Sequence, residues 1–178
     1  MTSFKGDQGF TDLIREGGVS KADARIQAIG AVDEAWAALG FARSLVKNSN
    51  HQAVLLQLQK DLYILMAQLA GTSQSPQGMK LIDSSKVDWL DFQITALENS
   101  VVMPDHFIIS GDTVAGGALA MARTIVRRAE RQVVAMSNLV ENFDKVLIKY
   151  LNRLSSVCFM LELAEYASPE ASKSSDKL

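Results

Sequence analysis

Apolar residues recur along this chain at intervals of three and four, and the stretches over which they do so mark five helices. From Lys21 to Lys47 the positions Ile26, Ile29, Val32, Trp36 and Leu39 form one stripe, with Ser20 placed to cap the helix and Asp23 in its first turn. From His51 to Leu69 the stripe is Leu55, Leu58, Leu62, Leu65 and Leu69, and it closes at Gly71 before the loop TSQSPQG. A third helix, from Ser84 to Asn99, carries Val87, Leu90, Ile94 and Leu97. It is followed by VVMPDHFII, where Pro104 and the β-branched residues predict an extended segment crossing the bundle. The fourth helix runs from Thr113 to Leu139 and the fifth from Phe143 to Tyr166, on either side of a short turn at Glu141 and Asn142. The pattern predicts an all-α, antiparallel five-helix bundle over residues 21–167.

The period breaks at both ends. Residues 1–20 carry glycines and charges in irregular order and read as a loop, while residues 168–178, rich in Ser and Lys, read as a disordered tail. There is no internal repeat. With 178 residues, 48% of them hydrophobic and 21% charged, the chain has the length and balance of one soluble domain with a full core. A net charge of -2 argues against the broad positive footprint of a nonspecific nucleic-acid binder. The single cysteine, Cys158, sits in the apolar run VCFMLELA and reads as a packed thiol. Two histidines, His51 and His106, without clustered cysteines give no transition-metal site. MTSFKGDQGF lacks a hydrophobic signal core and no apolar stretch reaches the length of a bilayer span, so the expected location is the cytoplasm.

Against this background the segment RTIVRRAER stands out. Helical spacing sets Arg123, Arg127 and Arg131 in an i, i+4, i+8 row, with Arg128 and Glu130 beside it, between the apolar flanks GGALAMA and QVVAM. Guanidinium forks match phosphate or carboxylate oxygens, so the row is either a polyanion site, a buried ion-pair network or a solvated helix face. Polar residues also interrupt two other helices: Asp33 and Glu34 in IQAIGAVDEAWAALG, and Asn152 and Arg153 in KYLNRLSSV. If buried they must be paired, which allows an internal salt bridge from Asp33 to an arginine, with Asn152 completing the network. The alternative is that the arginines hold phosphates while the carboxylates position them. The leader supplies a second anion candidate. Gly6, Asp7 and Gly9 in KGDQG, and Gly17 and Gly18 ahead of Ser20, could let backbone N–H groups approach an anion, with Lys5 and Lys21 supplying charge. The order GGVSK is not a Walker A motif, and by itself this segment is a weak signal that reads first as an ordinary flexible leader.

Taken in order, GDQG, GVSKADARIQAIGAVDEAWAALGFAR, LQKDLYILMAQLAG, HFIISG, ARTIVRRAERQVVA and KYLNRLSSVCFML resemble the ATP:corrinoid adenosyltransferase family, the ferritin-like kind that forms trimers of five-helix bundles. The resemblance runs from about Gly6 to Ala164. It implies transfer of the 5′-deoxyadenosyl group of ATP to the cobalt of a reduced corrinoid, with magnesium assisting, triphosphate leaving and adenosylcobalamin forming. It further implies a homotrimer with ATP between subunits, and as partners a flavoprotein reductase and an adenosylcobalamin-dependent acceptor enzyme. Carried over by motif, the loop with Lys5, Gly6, Asp7 and Gly9, together with Lys21, would wrap the triphosphate. Arg127 and Arg128 would contact the phosphates, Arg123 would pair with Asp33 across a subunit boundary, and Glu130 and Asn152 would complete the nucleotide and magnesium surroundings. Phe107 would lie under the corrin and exclude the lower axial ligand. Cobalt(I) is itself a powerful nucleophile, so the resemblance also accounts for a chain with no Ser-His or Cys-His pair.

The chain departs from the family pattern at several positions. Lys5 replaces the usual threonine, and Ala35, Trp36 and Ala37 follow Val-Asp-Glu where Leu-Asn-Ser is usual. Ser110, Gly111 and Asp112 replace a segment with a proline and paired glycines, and Ser156 replaces an aspartate. Asp112 is expected to bring a negative charge near the phosphate or corrin site.

Overall fold

The computed structural model describes residues 5–13, 16–71, 80–105 and 108–166. His106, Phe107 and the tail 168–178 lie outside the described residues, as does the side chain of Lys5. Five helices dominate: α1 (Ala24–Leu45), α2 (Ser49–Leu69), α3 (Ser84–Glu98), α4 (Val114–Ser137) and α5 (Val146–Tyr166). The expected helix count and order hold. Before them, a short 3-10 turn at Lys5–Gln8 leads into an antiparallel hairpin of β1 (Phe10–Leu13) and β2 (Glu16–Ser20).

That hairpin corrects the reading of the leader as an irregular loop. Phe10 pairs with Ser20 and Thr11 with Val19, after which the register slips to Leu13 and Glu16. At the slip the Asp12 carboxylate accepts the Gly18 N–H at 2.9 Å, and Gly18 takes φ 71°, which a side chain would disfavour. Charged and glycine-rich strands with one buried residue, Val19, carry no alternation that a period search could find.

The helix starts follow side-chain acceptors. Asp23, not Ser20, caps α1, accepting the Arg25 N–H at 2.8 Å, because Ser20 is the last residue of β2. Asn48 caps α2, Asp83 caps α3 and Thr113 caps α4, each accepting N–H groups of its own first turn.

Packing runs α2 on α1, α1 on α4, α4 on α5 and α5 on α3. Both helices of the α1–α4 seam bury small side chains, Ala28, Ala31, Ala35, Ala38 and Ala42 on α1 and Ala115, Ala118, Ala122 and Ala129 on α4, which lets helices that pack on each other approach closely. Leucines of α2, with Tyr150, Leu151, Leu154 and Leu161 of α5, fill the rest of the core with essentially no exposure.

This phase also decides which polar residues are buried. With Ala31, Val32, Ala35 and Leu39 turned inward, Asp33 and Glu34 fall on the exposed face of α1, so the expected interruption of the core there is not one. The carboxylates that are fully buried are Asp61 and Glu162. Among the described residues no helix is long and apolar enough to cross a membrane.

Candidate functional site

A cleft of about 620 Å³ opens where α3, α4 and α5 meet. Arg123 and Arg127 enter it from α4, one turn apart, and Arg153 enters from α5. Asp91 and Glu98 come from α3, while Ile94, Met103, Phe159 and Met160 supply its apolar wall. Helical spacing on α4 accounts for two of the guanidinium groups. The third required a second helix to be brought alongside.

Each arginine is held differently. The Arg123 guanidinium lies 5.9 Å from the centroid of the Phe159 ring, within reach of a cation–π contact. Its Nε faces the buried Glu162 at 3.8 Å. Arg153 donates through Nε to Asp91 at 2.8 Å and through a terminal nitrogen to the Asn152 side-chain oxygen Oδ1 at 2.9 Å. Asn152 in turn donates to Glu130 at 3.1 Å, so one hydrogen-bonded line joins α3, α5 and α4. Arg127 is exposed at the cleft.

The remaining candidates distribute around this centre. Glu130 and Asn152 do meet. Arg128 points the other way, across the α1–α4 seam, and pairs with Glu34. Within the chain, then, the acidic partner on α1 is Glu34, and Asp33 is an exposed neighbour of that pair. The leader folds around Lys21, whose Nζ donates to the Gly6 carbonyl at 2.7 Å and whose backbone N–H donates to that of Gly9 at 2.8 Å. Gly9 takes φ 82°, and Asp7 is exposed.

This leader and the arginine cleft are apart in one chain. The Glu34–Arg128 contact fixes the register of the seam, and α1 begins about ten residues, or about 15 Å of helix rise, before Glu34. Because α4 runs antiparallel to α1 and Arg123 precedes Arg128, Arg123 lies on the opposite side of that pair from the leader, which widens the separation.

Of the positions that depart from the family pattern, Ser156 lines the cleft and Trp36 is exposed on α1. Ser110 donates its hydroxyl to Glu162 at 2.6 Å. Asp112 does not bring its charge to the arginines: it lines a separate hollow with Lys47, Thr113 and Glu165.

Among the described residues no activated nucleophile lines the cleft. The Ser155 hydroxyl donates to the Asn152 carbonyl at 2.8 Å. Cys158 is buried as its apolar run implies, and burial pushes its thiol up to about 12. Burial also raises the Glu162 carboxyl above its ordinary range, against the opposing pulls of Ser110 and Arg123. Apolar spacing does not mark Glu162 as a site residue. Its one available signal was a lone acid in the run VCFMLELA.

The profile of a family described as cobalamin adenosyltransferase matches residues 1–165. The corrinoid adenosyltransferase PduO of Salmonella typhimurium is 36% identical over 167 residues, covering 90% of this chain and 48% of the relative. The chain thus spans about half the length of the PduO relatives it matches. A corrinoid adenosyltransferase of Citrobacter freundii is 30% identical over 166 residues, covering 93% of this chain and 94% of the relative. Among solved structures, a variant of the PduO-type ATP:corrinoid adenosyltransferase from Lactobacillus reuteri complexed with cobalamin and ATP superposes with a TM-score of 0.83. It is 28% identical, over 99% of this chain and 97% of that one. A profile that runs through all five helices, and a relative matched along nearly its whole length, decide the assignment: the chain belongs to the cobalamin adenosyltransferase family.

Proposed function

We propose that this protein transfers the 5′-deoxyadenosyl group of ATP to cobalt(I) of a reduced corrinoid. The electron pair on cobalt attacks the 5′-carbon, a cobalt–carbon bond forms, the carbon–oxygen bond to the phosphate breaks, and triphosphate leaves. The observation that carries this reading is a cleft with three guanidinium groups and an apolar wall but no activated side-chain nucleophile. Such a site suits a reaction whose nucleophile arrives with the substrate and whose leaving group gains negative charge.

In this proposal Arg127 touches the triphosphate and Arg128, beside its Glu34 partner, supplies further positive charge. Arg123 pairs with Asp33 of a neighbouring subunit, and Glu130 and Asn152 hold the nucleotide side of the cleft. The leader of one subunit, with Lys5, Gly6, Asp7, Gly9 and Lys21, closes over the arginines of the next. The separation of leader and cleft within one chain supports a site completed by assembly, and a homotrimer is the assembly the family resemblance implies. By the family resemblance, Phe107 would face the corrin and keep the lower axial position of cobalt empty, which would ease reduction to cobalt(I).

Magnesium would enter on the triphosphate. Among the described residues no three His, Cys, Asp or Glu side chains gather to hold a metal alone, whereas a triphosphate-borne magnesium needs only one or two carboxylates, for which Glu130 is the candidate. The reaction is proposed for the cytoplasm, with a flavoprotein reductase supplying the electron and an adenosylcobalamin-dependent enzyme receiving the product.

The test is an anaerobic assay of chemically prepared cobalt(I) cobalamin. Its absorbance should decay when ATP and magnesium are added with the protein. Binding of ATP without decay would replace the transferase by a binding protein of the same fold.

A further inference from the structure

We infer that Glu162 is a positioning residue that sets Arg123 at the cleft and ties it to the Ser110 connection between α3 and α4. This rests on the proposed reaction for its kinetic consequence only, since the tie itself is geometric. Glu162 is fully buried on α5. A charge so placed is retained only where it has partners. One carboxylate oxygen accepts the Ser110 hydroxyl at 2.6 Å. The other has no hydrogen bond among the described residues and faces the Arg123 Nε at 3.8 Å, and that nitrogen is likewise buried without a hydrogen bond. Two opposite charges thus face each other slightly beyond hydrogen-bond length, each with nothing else nearby to satisfy the atom concerned.

The two ends of this line belong to different surfaces. Arg123 lines the cleft together with Arg127. Ser110 belongs to residues 101–113, which also place Met103 in the cleft. The same connection is held a second time, where the Tyr166 hydroxyl donates to the Ile109 carbonyl at 2.6 Å. The C-terminal part of α5 therefore anchors the connection at two adjacent points, and one of them is the carboxylate that faces Arg123. An anion that draws Arg123 outward leaves Ser110 as the only partner of Glu162, and a shift of the connection changes the charge that Arg123 feels. Occupancy of the arginine side of the cleft and the set of residues 108–113 are coupled through this one side chain.

The experiment has an arm independent of turnover. Hydrogen exchange of the amides at 108–113 should change about threefold or more in Arg123→Met relative to wild type, and stay within error in Arg127→Met, which empties the same cleft without touching Glu162. Equal exchange in the two variants would overturn the coupling, whether or not the protein is a transferase. In the cobalt(I) assay, Glu162→Gln keeps an acceptor for Ser110 but removes the charge facing Arg123. It should lower kcat about tenfold with the KM for ATP within about twofold, the pattern of a lost transition-state interaction rather than lost binding. A folded Glu162→Gln protein with wild-type kcat would overturn the positioning role. A wild-type protein that consumes no cobalt(I) would sink the proposed reaction and leave the exchange arm to decide the coupling.

Discussion

Asp61 shows how a single buried carboxylate can organise a helical core. It lies on α2 with no exposure, and it accepts from Gln57 at 2.9 Å, from Lys86 of α3 at 2.7 Å and from the hydroxyl of Tyr150 of α5 at 2.9 Å. Burial first, and the neighbouring carboxylate second, hold the Tyr150 phenol well above its ordinary range, so it stays a donor. Tyr150→Phe removes one of three donors from a charge that cannot reach water, and it should destabilise the fold by about 1–3 kcal/mol, read as a lower urea midpoint. An unchanged midpoint would mean that Lys86 and Gln57 suffice. At the cleft, Arg127 is exposed and packs nothing in the core, so Arg127→Ala should leave the circular dichroism spectrum intact while transfer falls about a hundredfold or more. Retained turnover in the folded variant would remove Arg127 from the phosphate site.

Helices α1 to α4 each owe their start to a side-chain cap as well as to their stripe. Asp83 begins α3, accepting from the N–H groups of Ser85 and Lys86, from the Ser85 hydroxyl at 2.6 Å and from Lys80 at 2.9 Å. The Ser85 hydroxyl, and after it the Lys80 ammonium, hold the Asp83 carboxyl down to about 2. Its folded value lies below the unfolded value of about 4, so the unfolded chain binds the proton more tightly. The stability it contributes is present in full above pH about 4 and is lost as pH falls towards 2. Asp83→Asn, which keeps the cap acceptor but cannot titrate, should flatten the acid limb of the stability curve over that window. An acid limb identical to wild type would show that the cap charge is inert. Helices of this kind were legible from apolar spacing alone, because a stripe that must face a core leaves the same period in the chain wherever the core lies. The hairpin was not legible: its strands bury one side chain between them and leave no such period.

The whole molecule exposes apolar side chains in a pattern that bears on assembly. Phe41 of α1 and Met121 of α4 are about half exposed, and each lies two turns along the same helical stripe from the Glu34–Arg128 pair. A subunit interface along the α1–α4 seam would cover both. For the homotrimer that the family resemblance implies, light scattering at micromolar concentration should give three times the chain mass, and a monomer would remove the proposed site between subunits. What the order of residues determined by itself was the set of five helices, the arginine row and the resemblance, since all of these depend on local spacing and on motifs in sequence. Which acid meets which arginine was decided only in three dimensions. A hundred degrees of helical phase separates Asp33 from Glu34, and that rotation gave the intrachain pairing with Arg128 to Glu34. Arg153 joined the cleft, and Glu162 came to face Arg123 behind it, for the same reason: a side chain distant in sequence becomes a neighbour only when packing sets the distance between helices.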